Sequence, residues 1–169
     1  VPAPGKDTAA SIGSGAGRIV VVGSANADLV MGVARLPAAG ETLVASSHMT
    51  VPGGKGANQA AAAAKLCKQS KIPVRLVCQL GKDANADMLR SELRSAGVNL
   101  DGVRDVAEPT GTAVVMLLPG GDNSILVSGG ANQAADWEFN AAAGCALDEC
   151  DVLLLQRELV KTHAGARMG

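Results

Sequence analysis

The chain has 169 residues, 47% apolar and 18% charged, with a formal net charge of −1, a length that suits one domain with its own core. Near-neutral charge, one Trp (Trp137), one Phe (Phe139) and no Tyr argue against the basic surfaces and stacking platforms of nucleic-acid binding. No apolar run approaches the ~20 residues of a membrane-spanning helix.

Residues 1–17 are a Pro/Gly/Ala/Ser stretch without hydrophobic periodicity, expected to be a flexible lead. With no apolar h-region it is not a secretory signal. The expected location is cytoplasmic; a plastid or mitochondrion is the alternative if this lead is a transit-peptide remnant, against which its lack of Arg counts. The 30 alanines forecast closely packed elements that bury little area each. The four cysteines, Cys67, Cys78, Cys145 and Cys150, have no zinc-ligand spacing, and only His48 and His163 could assist them. They are expected to be free thiols of a reducing compartment, with no metal site.

Order is expected from Arg18. Ile19-Val20-Val21-Val22, closed by Gly23, is a short continuous apolar run, as in a strand covered on both faces of a parallel sheet. Leu29 to Val33 extends onward, residues 36–40 turn, and Glu41 to Val51 form a more polar, partly exposed strand. A helix from Gly56 to Gln69 carries a small-residue face of Ala57, Ala60, Ala61 and Ala64. Val74 to Cys78 is the next strand. An amphipathic helix from Asp83 to Ala96 points Met88, Leu89 and Leu93 inward and stops at Gly97. This alternation predicts an α/β fold.

Thr112 to Leu118, a Pro119-Gly120-Gly121-Asp122 turn and Ser124 to Val127 read as a β-hairpin. With the strand over 41–51, it could build a small second sheet over the carboxyl edge of the main one. Trp137 to Leu147 is expected to be a short helix and Val152 to Leu155 another buried strand.

Three groups of residues could carry chemistry. Asn26 and Asp28 follow the first strand, at the end where open α/β sheets bind ligands, and their spacing of two points both the same way in extended backbone. An amide beside a carboxylate suits neighbouring sugar hydroxyls; a turn or cap explains the pair equally well. Gly53-Gly54-Lys55-Gly56-Ala57-Asn58-Gln59 opens the alanine-rich helix. It fails as a Walker A loop, because Met49 and Gly56 stand where Gly and Ser/Thr are required, and as a Rossmann fingerprint for want of a third glycine. What remains is a glycine pair that admits close approach of a ligand, helix-start amides that favour electron-rich atoms, and Asn58 in the first turn; a tight turn feeding a closely packed helix is the alternative, which explains the glycines but not Lys55 and Asn58. Glu158 lies just past the last strand, where a solvated charge is the alternative reading.

In this order and spacing the three groups resemble the ribokinase group of the PfkB carbohydrate-kinase family. Gly40-Glu41-Thr42, Thr110-Gly111-Thr112-Ala113 and Gly129-Gly130-Ala131-Asn132 are similar too. The resemblance runs from about Arg18 to Glu158 and covers about half of a full-length kinase. It implies a ribokinase-like α/β fold: a central, mostly parallel sheet flanked by helices, a β-sheet lid from about 28–51 and 112–128, and the C-terminal half of the fold absent. It implies that Asn26, Asp28, Gly54, Lys55, Asn58 and Glu158 hold D-ribose or a similar sugar, and that lids pair in a homodimer. ATP, Mg²⁺ and a monovalent cation are implied as well. The family's catalytic Asp lies in a run resembling Asp-Thr-x-Gly-Ala-Gly-Asp, which this chain lacks; Asp7-Thr8-Ala9-Ala10-Ser11 is no substitute. A sugar-binding part without catalytic competence of its own is therefore expected. The alternatives are a non-catalytic ribose-binding or lid-pairing protein, and a related kinase for another sugar or nucleoside.

Overall fold

The computed structural model describes residues 18–134, 144, 147–148 and 150–156. In chain order its elements are β1 (Ile19–Val22), β2 (Asn26–Gly32), β3 (Ser47–Gly53), α1 (Lys55–Cys67), β4 (Val74–Leu80), α2 (Ala84–Ser95), β5 (Asn99–Asp105), β6 (Gly111–Leu117), β7 (Asn123–Ser128), a single 3₁₀ turn (Gly130–Gln133) and β8 (Val152–Leu155).

Four strands form a parallel sheet in the order β5-β4-β1-β8. The apolar run of β1 is central, and alternation sends its side chains to two different cores. Val21 joins Leu76, Cys78 and Leu80 of β4 against Ala57, Ala60 and Ala64 of α1 and Leu89 and Leu93 of α2. Val20 and Val22 pack with Val77 on the opposite face, against Leu147 and Cys150. A strand covered on both sides has no polar face to present, which is why β1 is apolar throughout.

Both helices begin and end for local reasons. Asp83 caps α2, its carboxylate accepting the Ala86 N–H at 2.9 Å. At the other end Gly97 adopts φ +89 and donates to the Arg94 carbonyl at 2.9 Å, while the Val98 N–H reaches the Leu93 carbonyl at 3.0 Å. These are the two bonds of a Schellman stop, and they release the chain into β5. The buried face of α1 is Gly56, Ala57, Ala60 and Ala64, so its axis lies close to the sheet.

β5 has no counterpart among the expected elements. Its residues, Asn-Leu-Asp-Gly-Val-Arg-Asp, are too polar to signal a strand, and among the described residues it pairs only with β4, at the end of the sheet. β8 forms where expected, yet Val152, Leu153 and Leu155 are exposed, the last by 61%. It pairs only with β1 among the described residues, so it is an edge of the described sheet. The helix expected over Trp137–Leu147 falls almost wholly outside the described residues, although Gly144 and Leu147 are helical.

The second sheet has the order β3-β2-β6-β7, with β2 and β6 parallel and the outer pairs antiparallel. It starts after a connection of three residues from the carboxyl end of β1. The hairpin of β6 and β7 is as expected, but β3 spans Ser47–Gly53 rather than 41–51. Residues 41–46 stay out of the strand because Glu41 is committed to a turn. Its N–H donates to the Ala38 carbonyl, its carboxylate accepts the Ala38 N–H at 2.9 Å, and Arg35 pairs with it. The Arg35 guanidinium, followed by the Ala38 N–H, pulls the Glu41 carboxyl down to about 2.

Candidate functional site

The chain leaves β1 through Gly23-Ser24-Ala25 and enters β2 at Asn26. α1 starts against this connection, and glycines allow the approach. A methyl group on Gly56 would lie 2.6 Å from the Gly23 Cα, and one on Gly54 would lie 2.6 Å from the Ala25 Cα and 2.7 Å from the Ser24 carbonyl oxygen. Gly54 also sits at φ +88, a conformation that side chains disfavour. Ser24 fastens the contact. Its Oγ accepts the Lys55 N–H at 3.2 Å and its carbonyl accepts the Ala57 N–H at 2.9 Å. Two of the helix-start amides expected to favour a ligand, those of Lys55 and Ala57, are thus bonded to Ser24.

Asn26 and Asp28 stand two apart on β2, as their spacing requires. The register adds what the spacing could not: Asn26 is opposite Gly53 on β3 and Gly111 on β6. The side chains lean into the space these glycines leave. A methyl on Gly53 would fall 2.1 Å from Asp28 Oδ2, and one on Gly111 would fall 2.4 Å from Asn26 Oδ1. Asn26 is buried and Asp28 half-buried, so the pair presents an amide and a carboxylate from a largely desolvated ledge. Such groups discriminate strongly for hydroxyl-rich ligands, because an unmatched buried polar group is costly.

The corner before β6 is held by Asp83, which accepts the Thr110 N–H and the Thr110 hydroxyl, both at 2.8 Å; the hydroxyl in turn accepts the Gly81 N–H at 3.0 Å. Burial pushes the Asp83 carboxyl upward, but the hydrogen bonds from Thr110, Ala86 and Asn85 outweigh it and the net displacement is downward. Asn132 reaches back from the 3₁₀ turn and donates to Asn26 Oδ1 at 2.7 Å.

Of the six residues singled out in the sequence, the structure brings together Asn26, Asp28, Gly54 and the main chain of Lys55. Asn58 is one turn along α1, its N–H bonded to the Gly54 carbonyl at 2.9 Å and its side chain exposed. Glu158 lies outside the described residues, although the Gln156 N–H bonds the Val22 carbonyl at 3.0 Å and so carries the chain to the end of β1. Gly53, Gly111 and Asn132 belong to the same cluster. They stand in motifs visible in the sequence, but nothing local assigned them to it. Two hollows of about 400 and 460 Å³ open elsewhere, near Lys68 and near Arg90, and neither contains a residue of the cluster.

Among the described residues no three of His, Cys, Asp and Glu lie together as metal ligands. The glycine-rich start of α1 closes on Ser24 and Ala25 rather than opening toward a phosphate. Neither observation locates a site for ATP, Mg²⁺ or a monovalent cation among the described residues. No described helix is long and apolar enough to cross a membrane.

Comparison with known proteins identifies the family and the fold. The model of the pfkB family of carbohydrate kinases matches residues 16–166. The chain is 43% identical over 169 residues to the ribokinase of Arabidopsis thaliana, covering 94% of this chain and 42% of that protein. It is 38% identical over 142 residues to the deoxyribokinase of Salmonella typhi, covering 83% and 45%. The structure of Arabidopsis thaliana ribokinase complexed with ribose and ATP superposes with a TM-score of 0.74 at 45% identity, over 85% of this chain and 46% of that one. The chain thus spans a little under half the length of these relatives. With the family match covering most of its length and 85% of the chain superposing on a relative's structure, the chain belongs to the pfkB family of carbohydrate kinases and has the ribokinase-like fold.

Proposed function

We propose that this chain is the N-terminal, sugar-binding part of a ribokinase, which transfers the γ-phosphate of ATP to the 5-hydroxyl of D-ribose. The observation that carries this reading is the ledge on β2, where Asn26 and Asp28 converge between Gly53 and Gly111 beside the carboxyl end of β1. Asp28 accepts hydrogen bonds from sugar hydroxyls and Asn26 supplies an amide. Gly54 lets the main chain approach, and Lys55, Asn58 and Glu158 complete the contacts. The second sheet acts as a lid, closing over the sugar and excluding water. ATP, Mg²⁺ and a monovalent cation are held outside the described residues, as is the base for the 5-hydroxyl. The chain alone is therefore not catalytically competent, because phosphoryl transfer rests on positioning and charge stabilisation that these residues do not supply. The proposed compartment is the cytoplasm, or an organelle if residues 1–17 are a transit remnant.

Two measurements test this. A thermal melt with D-ribose at a hundred times its dissociation constant should gain about 2.7 kcal/mol over the free chain, and a melt that ribose leaves unmoved would refute the site. Incubation with ATP, Mg²⁺ and ribose should yield no ribose 5-phosphate; product from the pure chain would refute the assignment of the catalytic groups elsewhere.

A second reading, a non-catalytic protein that pairs through its lid, draws support from β7, where Ile125, Leu126 and Val127 are each more than half exposed. Concentration-dependent dimerisation abolished by Leu126→Asp would favour it. A kinase for another sugar is the third reading, given the similarity to a deoxyribokinase; comparing ribose with 2-deoxyribose in the same melt separates the two substrates.

A further inference from the structure

The carboxamide of Asn132 is buried where the loop after β1 meets the second sheet. Its Oδ1 accepts the Ala25 N–H at 3.0 Å, and its Nδ2 donates to the Ala25 carbonyl at 3.1 Å and to Asn26 Oδ1 at 2.7 Å. The two ends of a carboxamide are nearly alike in shape, so an Asn side chain can usually turn over. Here it cannot. A backbone N–H only donates and a backbone carbonyl only accepts, so the main chain of Ala25 dictates which end of Asn132 points where. With the Nδ2 of Asn132 directed at Asn26, only the oxygen of Asn26 can meet it. The orientation of one amide is thus passed to the next, and Asn26 keeps its NH₂ for a ligand.

Two glycine motifs serve this arrangement. Gly130 adopts φ +49, and a methyl there would lie 2.2 Å from the Pro109 carbonyl oxygen. That carbonyl accepts the Ala131 N–H at 2.7 Å and suspends the 3₁₀ turn above the start of β6. At Gly111 a methyl would lie 2.2 Å from Asn132 Nδ2 and 2.4 Å from Asn26 Oδ1. Only a bare α-carbon leaves room for the two amides to meet.

We propose that Asn132 is a positioning residue that locks the amide of Asn26 as a hydrogen-bond donor to one hydroxyl oxygen of the sugar. The inference rests on the reading of Asn26 as a sugar contact. Asn132→Asp keeps the shape but replaces the inward NH₂ with an oxygen, which turns the Asn26 amide over and offers the sugar an acceptor instead.

The test is a cycle of the full chain, N132D, N26A and the double variant, each titrated with D-ribose by calorimetry. N132D alone should weaken binding about tenfold, the scale of one mismatched hydrogen bond. In the N26A background the same change should alter binding less than about twofold. An equal loss in both backgrounds would show a merely structural role and overturn the proposal. A sugar-independent readout runs beside it: the Asn132 side-chain NH₂ should be protected from hydrogen exchange in the unsubstituted chain. Exchange as fast as in an exposed Asn would overturn the relay even if ribose binds. Protection without ribose binding to any variant would support the relay and overturn the sugar reading instead.

Discussion

The carboxylate of Asp28 lies directly over the bare α-carbon of Gly53 on the neighbouring strand, so close that a single methyl there would fall 2.1 Å from Oδ2 and 2.3 Å from Cγ. The nearest atoms all belong to the end of one side chain, which can swing away. Gly53→Ala should therefore cost little stability, less than about 1 kcal/mol, since Ala also lowers the entropy of the unfolded chain. Ribose affinity should fall because Asp28 is displaced. A thermal melt and a titration on the same sample check both halves of the prediction.

Replacing the carboxylate itself isolates its charge. Asp28→Asn retains the shape and should weaken ribose binding by about 1.5–3 kcal/mol, the range for hydrogen bonds to a charged group. An unchanged dissociation constant would remove Asp28 from the site.

Gly54→Ala contrasts with Gly53→Ala. Here the methyl meets main-chain atoms of Ser24 and Ala25, at a residue with φ +88. Backbone cannot swing aside, so a loss of about 1–3 kcal/mol is expected. Urea unfolding should show a lower midpoint, with weaker ribose binding following from it.

Asp83 links stability to pH. Its folded carboxyl lies below the ordinary 3.8 because the hydrogen bonds from Thr110, Ala86 and Asn85 outweigh burial. A depressed carboxyl contributes stability that is fully present above the unfolded value and is lost as pH falls through the folded one. Urea midpoints measured from neutral pH to below 3.8 should fall, and Asp83→Asn should flatten that fall while lowering stability at neutral pH.

Cys78 is a buried thiol, pushed up to about 12 by burial against a smaller opposing pull from Arg90. The thiolate is the reactive form, so Cys78 should resist alkylation at pH 8 until the chain unfolds, whereas the half-buried Cys67 and Cys150 should label first. Peptide mapping before and after denaturant distinguishes them.

The sequence by itself determined whatever local chemistry decides. The apolar run of β1, the Gly97 stop of α2, and the turn between β6 and β7 each depend on a few adjacent residues, and each lies where the pattern placed it. The shared direction of Asn26 and Asp28 also follows from strand periodicity alone. Strands that meet the sheet at one edge were harder to read. β5 is polar because one side faces away from the sheet, and β8 has the apolar composition of a buried strand without the burial. The second sheet's register was decided only by tertiary structure, since pairing joins residues far apart in the chain. Register puts Gly53 and Gly111 on either side of Asn26, and the fold brings Asn132 to it across 106 positions. Periodicity specifies which way a side chain points; only packing specifies what stands opposite it.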